Sequence, residues 1–371
     1  MPSMDDYDIL SVIGSGATAV VKLAREKHSN DLVVLKQFHI PLSQLPQESK
    51  QRIEKEISIL SSLSHPAVIT YLDSFICDDY RIIVMEYANA RSLRHYINHL
   101  IETSTSIPES VLVRWIETIT DALLYIHSHC IIHRDLKPEN ILLLTGESAS
   151  LSNKQVEDCY HPSSISKLQL KVSDFGIARE TESMLAMTQV GTPYYLAPEI
   201  CQSRIYTNKV DMWSLGCNMY ELMTKRTPFQ SNSLNGLFQN IIHSEMPPLQ
   251  VNYSSYLCRI VQLLLSKNPE QRPSAEELRL LLQSGKASQS VESVLPGTSV
   301  YFSGRRYTIR SLTDDHPLSL NNWNGASYPR NDRLNTSQYG RGSGTIRSRK
   351  YTPSPSPNPL SESPPLSSEE T

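Results

Sequence analysis

Hydrophobic periodicity changes once along this chain, near Tyr87, and that change limits the possible folds more than any single motif. Before it, short β-type runs alternate with turns at 7–13, 19–25 and 32–38, then at 70–77 and 80–86, the last two divided by Asp78-Asp79. Between these groups, 47–63 sets Ile53, Ile57 and Leu60 at the spacing of one helical face. After Tyr87 long helical patterns take over. Pro108-Glu109-Ser110 precedes a run in which Leu112, Trp115, Ile119, Leu123 and Ile126 mark a buried helix. Further helices are expected at 209–223, 235–243, 256–265 and 275–282. The expectation is an α+β chain: a β-rich lobe over 7–86 carrying one main helix, then an α-rich lobe over 89–282.

Two stretches break this pattern. Residues 145–167 are polar and Ser-rich, and are expected to form a disordered excursion between two short strands. Residues 283–371 are rich in Ser, Pro, Asn and Gly, leaving too little apolar surface to offset the entropy of ordering, so a disordered tail is expected. The tail holds Thr352-Pro353, Ser354-Pro355, Ser356-Pro357 and Ser363-Pro364, plausible targets of proline-directed kinases, and is locally basic over 341–350. A phosphorylation-controlled docking segment and a solvated spacer both fit it.

A net charge of -3 gives no electrostatic reason to expect nucleic acid or an anionic membrane as partner. Six scattered cysteines form no CxxC pair, which suits a reducing compartment. The first ten residues carry three aspartates and no apolar run, unlike a signal or transit peptide, and no apolar stretch reaches the roughly 18 residues needed to span a bilayer. An intracellular location is expected.

Chemistry concentrates in two motifs. His133-Arg134-Asp135-Leu136-Lys137-Pro138-Glu139-Asn140 sets a possible base, a cation and a metal ligand in one short loop, and Asp174-Phe175-Gly176 follows downstream. Two carboxylates, an amide and a lysine suit phosphoryl transfer, in which a protein mainly positions reactants, holds Mg²⁺ and stabilises charge on phosphate. Upstream, Ile13-Gly14-Ser15-Gly16-Ala17-Thr18-Ala19-Val20 lies between the first two strands; by itself it could be an ordinary hairpin. Lys36 in Val33-Val34-Leu35-Lys36 could likewise be a surface lysine, and Val84-Met85-Glu86-Tyr87-Ala88 only an apolar strand end.

In this order, these motifs resemble the protein-kinase signature over about residues 7–282. The resemblance implies a two-lobed kinase fold that binds ATP and Mg²⁺. It implies that Ile13, Gly14, Ser15, Gly16, Val21, Val34, Met85, Glu86, Ala88 and Leu142 line the nucleotide site, with Lys36 on the phosphates and Glu56 as its ion-pair partner. Glu54, two residues away, should face elsewhere on the helix. It implies that Asp135 orients the acceptor hydroxyl, Lys137 neutralises the migrating phosphate, and Asn140 and Asp174 hold the metal. His133 and Phe175 would be packing residues. Asp211 would support the loop backbone, and Arg272 would pair with Glu199. Lys137, together with Gly191-Thr192-Pro193-Tyr194-Tyr195-Leu196-Ala197-Pro198-Glu199, resembles Ser/Thr kinases, whose segment of this kind cradles a peptide. Thr192 would bridge Asp135 and Lys137, and a phosphate on Thr188, from an upstream kinase or autophosphorylation, would pair with Arg134.

Within the kinases, three passages resemble the NIMA-related (NEK) family: 191–200, 214–222 and 241–249. The chain departs from that family in its insertion at 145–167, in Ala19 where a third glycine is usual, and in a tail without coiled-coil heptads, so its oligomeric state stays open. The resemblance implies protein substrates with Ser/Thr acceptors and a cytoplasmic, cytoskeletal or nuclear location. Two rival readings are a pseudokinase, a folded interaction module without phosphate transfer, and a kinase-like enzyme acting on small molecules. The first commonly lacks at least one of Lys36, Glu56, Asp135, Asn140 and Asp174; the second seldom carries the peptide-cradling segment.

Overall fold

Strand parity decides what each face of the first sheet carries. In the computed structural model, strands β1 (Tyr7–Ser15), β2 (Ala19–Glu26), β3 (Leu32–Phe38), β4 (Tyr71–Cys77) and β5 (Tyr80–Glu86) form one antiparallel sheet in the order β1-β2-β3-β5-β4. Val33 and Leu35 of β3 and Ile82 and Val84 of β5 join Tyr7 and Phe75 in a small core on one face. Val34, Ile83 and Met85 point the other way, into the main core, where Ile57 and Leu60 of helix α1 (Gln47–Ser62) meet them. Burial on both faces explains the continuous apolar stretches at 32–35 of β3 and 82–85 of β5. Lys36 shares the parity of Val34 and pairs in register with Ile83, so it lies on the face that carries α1.

The structure describes residues 2–16, 18–146, 150–174, 193–249 and 252–289, with two short strands at 299–302 and 305–308. Beyond the sheet, helices dominate: α2 (Leu93–Glu102), α3 (Glu109–Ser128), α4 (Asn153–Tyr160), α5 (Pro198–Cys201), α6 (Lys209–Thr224), α7 (Leu234–His243), α8 (Ser255–Leu264) and α9 (Ala275–Gln289). A two-stranded ladder of β6 (Ile141–Leu144) and β7 (Gln169–Val172) lies between α3 and α5 in the chain. Helix α6 is buried from Val210 through Met223, so it forms the centre of the lobe rather than a surface layer. Gly216 lets α8 approach closely, since a Cβ there would stand 2.8 Å from Leu264 Cβ. No helix among the described residues is long and apolar enough to cross a membrane.

The structure overturns one expectation, the disordered insertion, and adds elements to the rest. Helix α2 is one of the added elements, with Leu93, Tyr96, Ile97 and Leu100 buried at helical spacing. The insertion is ordered where it is described. Ser152 caps α4 by accepting from Gln155 N, and the Gln155 side chain accepts from Ser152 N at 2.9 Å, a capping box hidden in a Ser-rich stretch. Val156, Tyr160 and Ile165 are buried, and the Tyr160 hydroxyl donates to Ala90 O at 2.8 Å while its ring meets the edge of Tyr96. Three apolar anchors thus suffice to dock a polar segment, which composition alone had read as unordered. Finally, α9 runs to Gln289, past the expected boundary at 282, and β8 (Ser299–Phe302) pairs with β9 (Arg305–Thr308) inside the stretch assigned to the tail.

Candidate active site

The glycine turn closes through Gly16 N donating to Ala19 O at 2.9 Å. Added Cβ atoms at Gly14 and Gly16 would meet nothing nearer than 3.6 and 3.8 Å, so packing alone does not demand glycine there. What glycine leaves clear is the open side of the turn, where a ligand can approach backbone. Ser15 ends β1, and Ile13 on that strand is 47% exposed, apolar surface without a covering element among the described residues. Val21 is half-buried and pairs with Lys36; Val34 pairs with Met85, and both of these are buried. Glu86 ends β5, with Ala88 in the segment leading to α2 and Leu142 across on β6. The Glu86 carboxylate is held by Thr70 Oγ1 at 2.8 Å and Lys171 Nζ at 2.5 Å, and its backbone N–H donates to Thr70 O at 3.0 Å.

Lys36 joins the two lobes. Its Nζ lies 2.8 Å from Asp174 Oδ1 and 3.7 Å from Glu56 Oε1. Glu54, on the other side of α1, pairs with Arg81. Burial alone would lower the Lys36 pKa, but Asp174 and Glu56 together raise it. The Lys36 charge holds the Asp174 carboxyl below its usual range, against the opposing effect of burial. Glu56 is pushed up by burial, which outweighs the more distant lysine.

The catalytic-type loop is braced from beneath. Asp211 of α6 accepts from the backbone N–H of His133 and of Arg134, each at 2.9 Å, and its Oδ2 lies 2.8 Å from His127 Nε2. Those bonds hold Arg134 at φ 66, a left-handed conformation that a side-chain-bearing residue adopts only when its surroundings over-determine it. Asp174 is held similarly at φ 55: Ser173 N donates to Asn140 O at 2.8 Å, and the buried His133 ring lies 3.0 Å from Ser173 O. Lys137 Nζ donates to Asp135 Oδ2 at 2.8 Å. Asn140 Nδ2 donates to Asp135 O at 2.8 Å and Oδ2 at 3.0 Å, and a flipped amide would set oxygen against oxygen. The amide oxygen of Asn140 is therefore the atom presented away from Asp135. With the Asp174 carboxylate it makes a hard-oxygen set that suits Mg²⁺.

Comparison with known proteins gives the family. The protein kinase domain family matches residues 7–280. A serine/threonine-protein kinase of Caenorhabditis elegans, nekl-2, is 36% identical over 74% of this chain and 73% of its own length. Human Nek5 is 34% identical over 74% of this chain, and mouse Nek3 is 33% identical over 79%. The chain belongs to the NEK family of protein serine/threonine kinases.

This NEK-type chain spans 36% of the length of human Nek5 and 52% of that of mouse Nek3. Protein kinases of this family generally use ATP and Mg²⁺. Of the sequence-derived site residues, Lys36 contacts Glu56 and Asp174, and Asp135 contacts Lys137 and Asn140; Ser173, next to Asp174 in the chain, bonds Asn140 O and so joins the two groups, while Phe175, Thr188 and Thr192 lie outside the described residues. Arg134 has its guanidinium 5.9 Å above the Tyr206 ring. The reading of the sequence missed His127, Ser173 and Lys171. They come from the end of α3 and from β7 and its exit, and no local pattern marks them, because their role exists only once those elements converge.

Proposed function

We propose that this chain transfers the γ-phosphate of ATP to Ser/Thr hydroxyls of protein substrates. The observation that carries the reading is the Lys36–Asp174 contact of 2.8 Å, which brings together residues 138 apart in sequence beneath the glycine turn. Lys36 supplies the cation for nucleotide phosphates, and Glu56 keeps its ammonium from swinging away. Asn140 and Asp174 would hold Mg²⁺, which would offset the negative charge of the nucleotide phosphates. Asp135, oriented by Lys137 and by Asn140, takes the proton of the acceptor hydroxyl, and Lys137 offsets charge as the phosphoryl group moves. A phosphate on Thr188 is proposed to pair with Arg134 and raise activity.

The test is phosphate transfer by the purified full chain to a generic Ser/Thr protein substrate with Mg²⁺-ATP, beside Asp174→Ala. A loss of about a hundredfold or more is expected, the scale on which removing one preorganised electrostatic group acts. Equal signal from both proteins would overturn the reading.

A further inference from the structure

Arg94, in the first turn of α2, is gripped on three sides. Its Nε donates to Glu139 Oε1 at 2.9 Å, its Nη1 to Glu221 Oε1 at 2.6 Å, and its Nη2 to the Tyr195 hydroxyl at 2.5 Å. That hydroxyl in turn donates to Glu221 Oε2 at 2.5 Å. One guanidinium therefore spans two carboxylates, using the fork geometry in which arginine exceeds lysine.

The place of this cluster gives it meaning. Glu139 directly precedes Asn140, whose amide holds Asp135, and Tyr195 belongs to the 193–199 stretch read as the cradle of the acceptor peptide. Side-chain exposure rises from 5% at Glu221 through 25% at Arg94 to 40% at Glu139, so the cluster runs from the interior to solvent beside the catalytic loop. Paired carboxylates at such a point would bind a cationic side chain of a peptide lying over the loop. Here the chain's own arginine already fills them.

Resting on the kinase reading, we propose that Arg94 is a specificity-determining residue: it occupies an acidic subsite beside the catalytic loop and so keeps the chain from selecting arginine in the acceptor peptide at that point. Removing Arg94 exposes Glu139 and Glu221 and switches that selection on. A bracing role alone would change stability and leave peptide choice untouched.

The experiment compares kcat/KM of the full chain and of Arg94→Met on a Ser/Thr peptide library in which arginine is placed in turn at each position flanking the acceptor. Wild type is expected to gain little from arginine at the subsite position. Arg94→Met is expected to favour it by roughly tenfold or more, the strength of hydrogen bonds to charged groups. Adding Glu139→Gln to Arg94→Met should take most of that preference away. Because Arg94→Met leaves the buried Glu221 without its cation and folding can suffer, Arg94→Lys is the second variant; it keeps one charge, loses the fork and should gain a several-fold preference. An unchanged profile in either folded variant, or a wild type that already selects arginine there, overturns the proposal. Inactivity of the wild type on every peptide and protein would instead overturn the kinase reading, and this inference with it.

Discussion

Arg272 is fully buried and forks onto Glu199 through bonds of 2.6 and 2.7 Å. Removing one partner strands the other charge away from water, so Arg272→Ala should cost on the order of 3–5 kcal/mol in urea unfolding. Replacing both with apolar residues should cost less, since no charge is then left unpaired. His133 sets a pH dependence. Burial lowers its pKa from 6.5, so above that value it is neutral in both states and its contribution is fully present. As pH falls through 6.5 the unfolded chain binds a proton that the folded chain resists, and stability declines. Unfolding midpoints between pH 7.5 and pH 5.5 should fall, and His133→Phe should flatten that slope. Residues such as Asp135, Asn140 and Asp174 were legible because the resemblance rests on contiguous motifs. His127 and Lys171 were not, because each acts through a partner, Asp211 or Glu86, that lies far away in the chain.

Elements were legible where one period dominates. The strands at 32–38 and 80–86 and the helix α3 follow directly from their apolar spacing, and the fold differs from the sequence-based reading at most by a few residues at their ends. Helix α4 was not legible, because its stability comes from a cap and a few docked side chains rather than from a continuous apolar face. Tyr160→Phe keeps the ring but loses the hydrogen bond to Ala90 O, and should cost about 1 kcal/mol. Faster amide exchange in α4 than in the body of α3 would accompany that loss; unchanged exchange and stability would show that the hydroxyl contributes nothing.

At the scale of the whole molecule, the site joins a lobe built on β3 and α1 to one built on β6, β7 and α6. A ligand that touches both should stabilise the fold by mass action: Mg²⁺-ATP at about a hundredfold over its Kd contributes roughly 2.7 kcal/mol and should raise the melting temperature by about 5 °C. Lys36→Met should abolish most of that shift. The change of period near Tyr87 and the motif order determined that the chain has a β-rich part, an α-rich part and, near their junction, motifs suited to phosphoryl transfer. Local spacing carries that much because periodicity and motifs are properties of neighbours in the chain. Only the tertiary structure decided that Lys36 leans on Asp174 more closely than on Glu56, that His127 joins Asp211 beneath the catalytic loop, and that Arg94 fills the paired acids beside it. Each of those depends on distances between segments far apart in sequence, and such distances are set by the packing of the whole core.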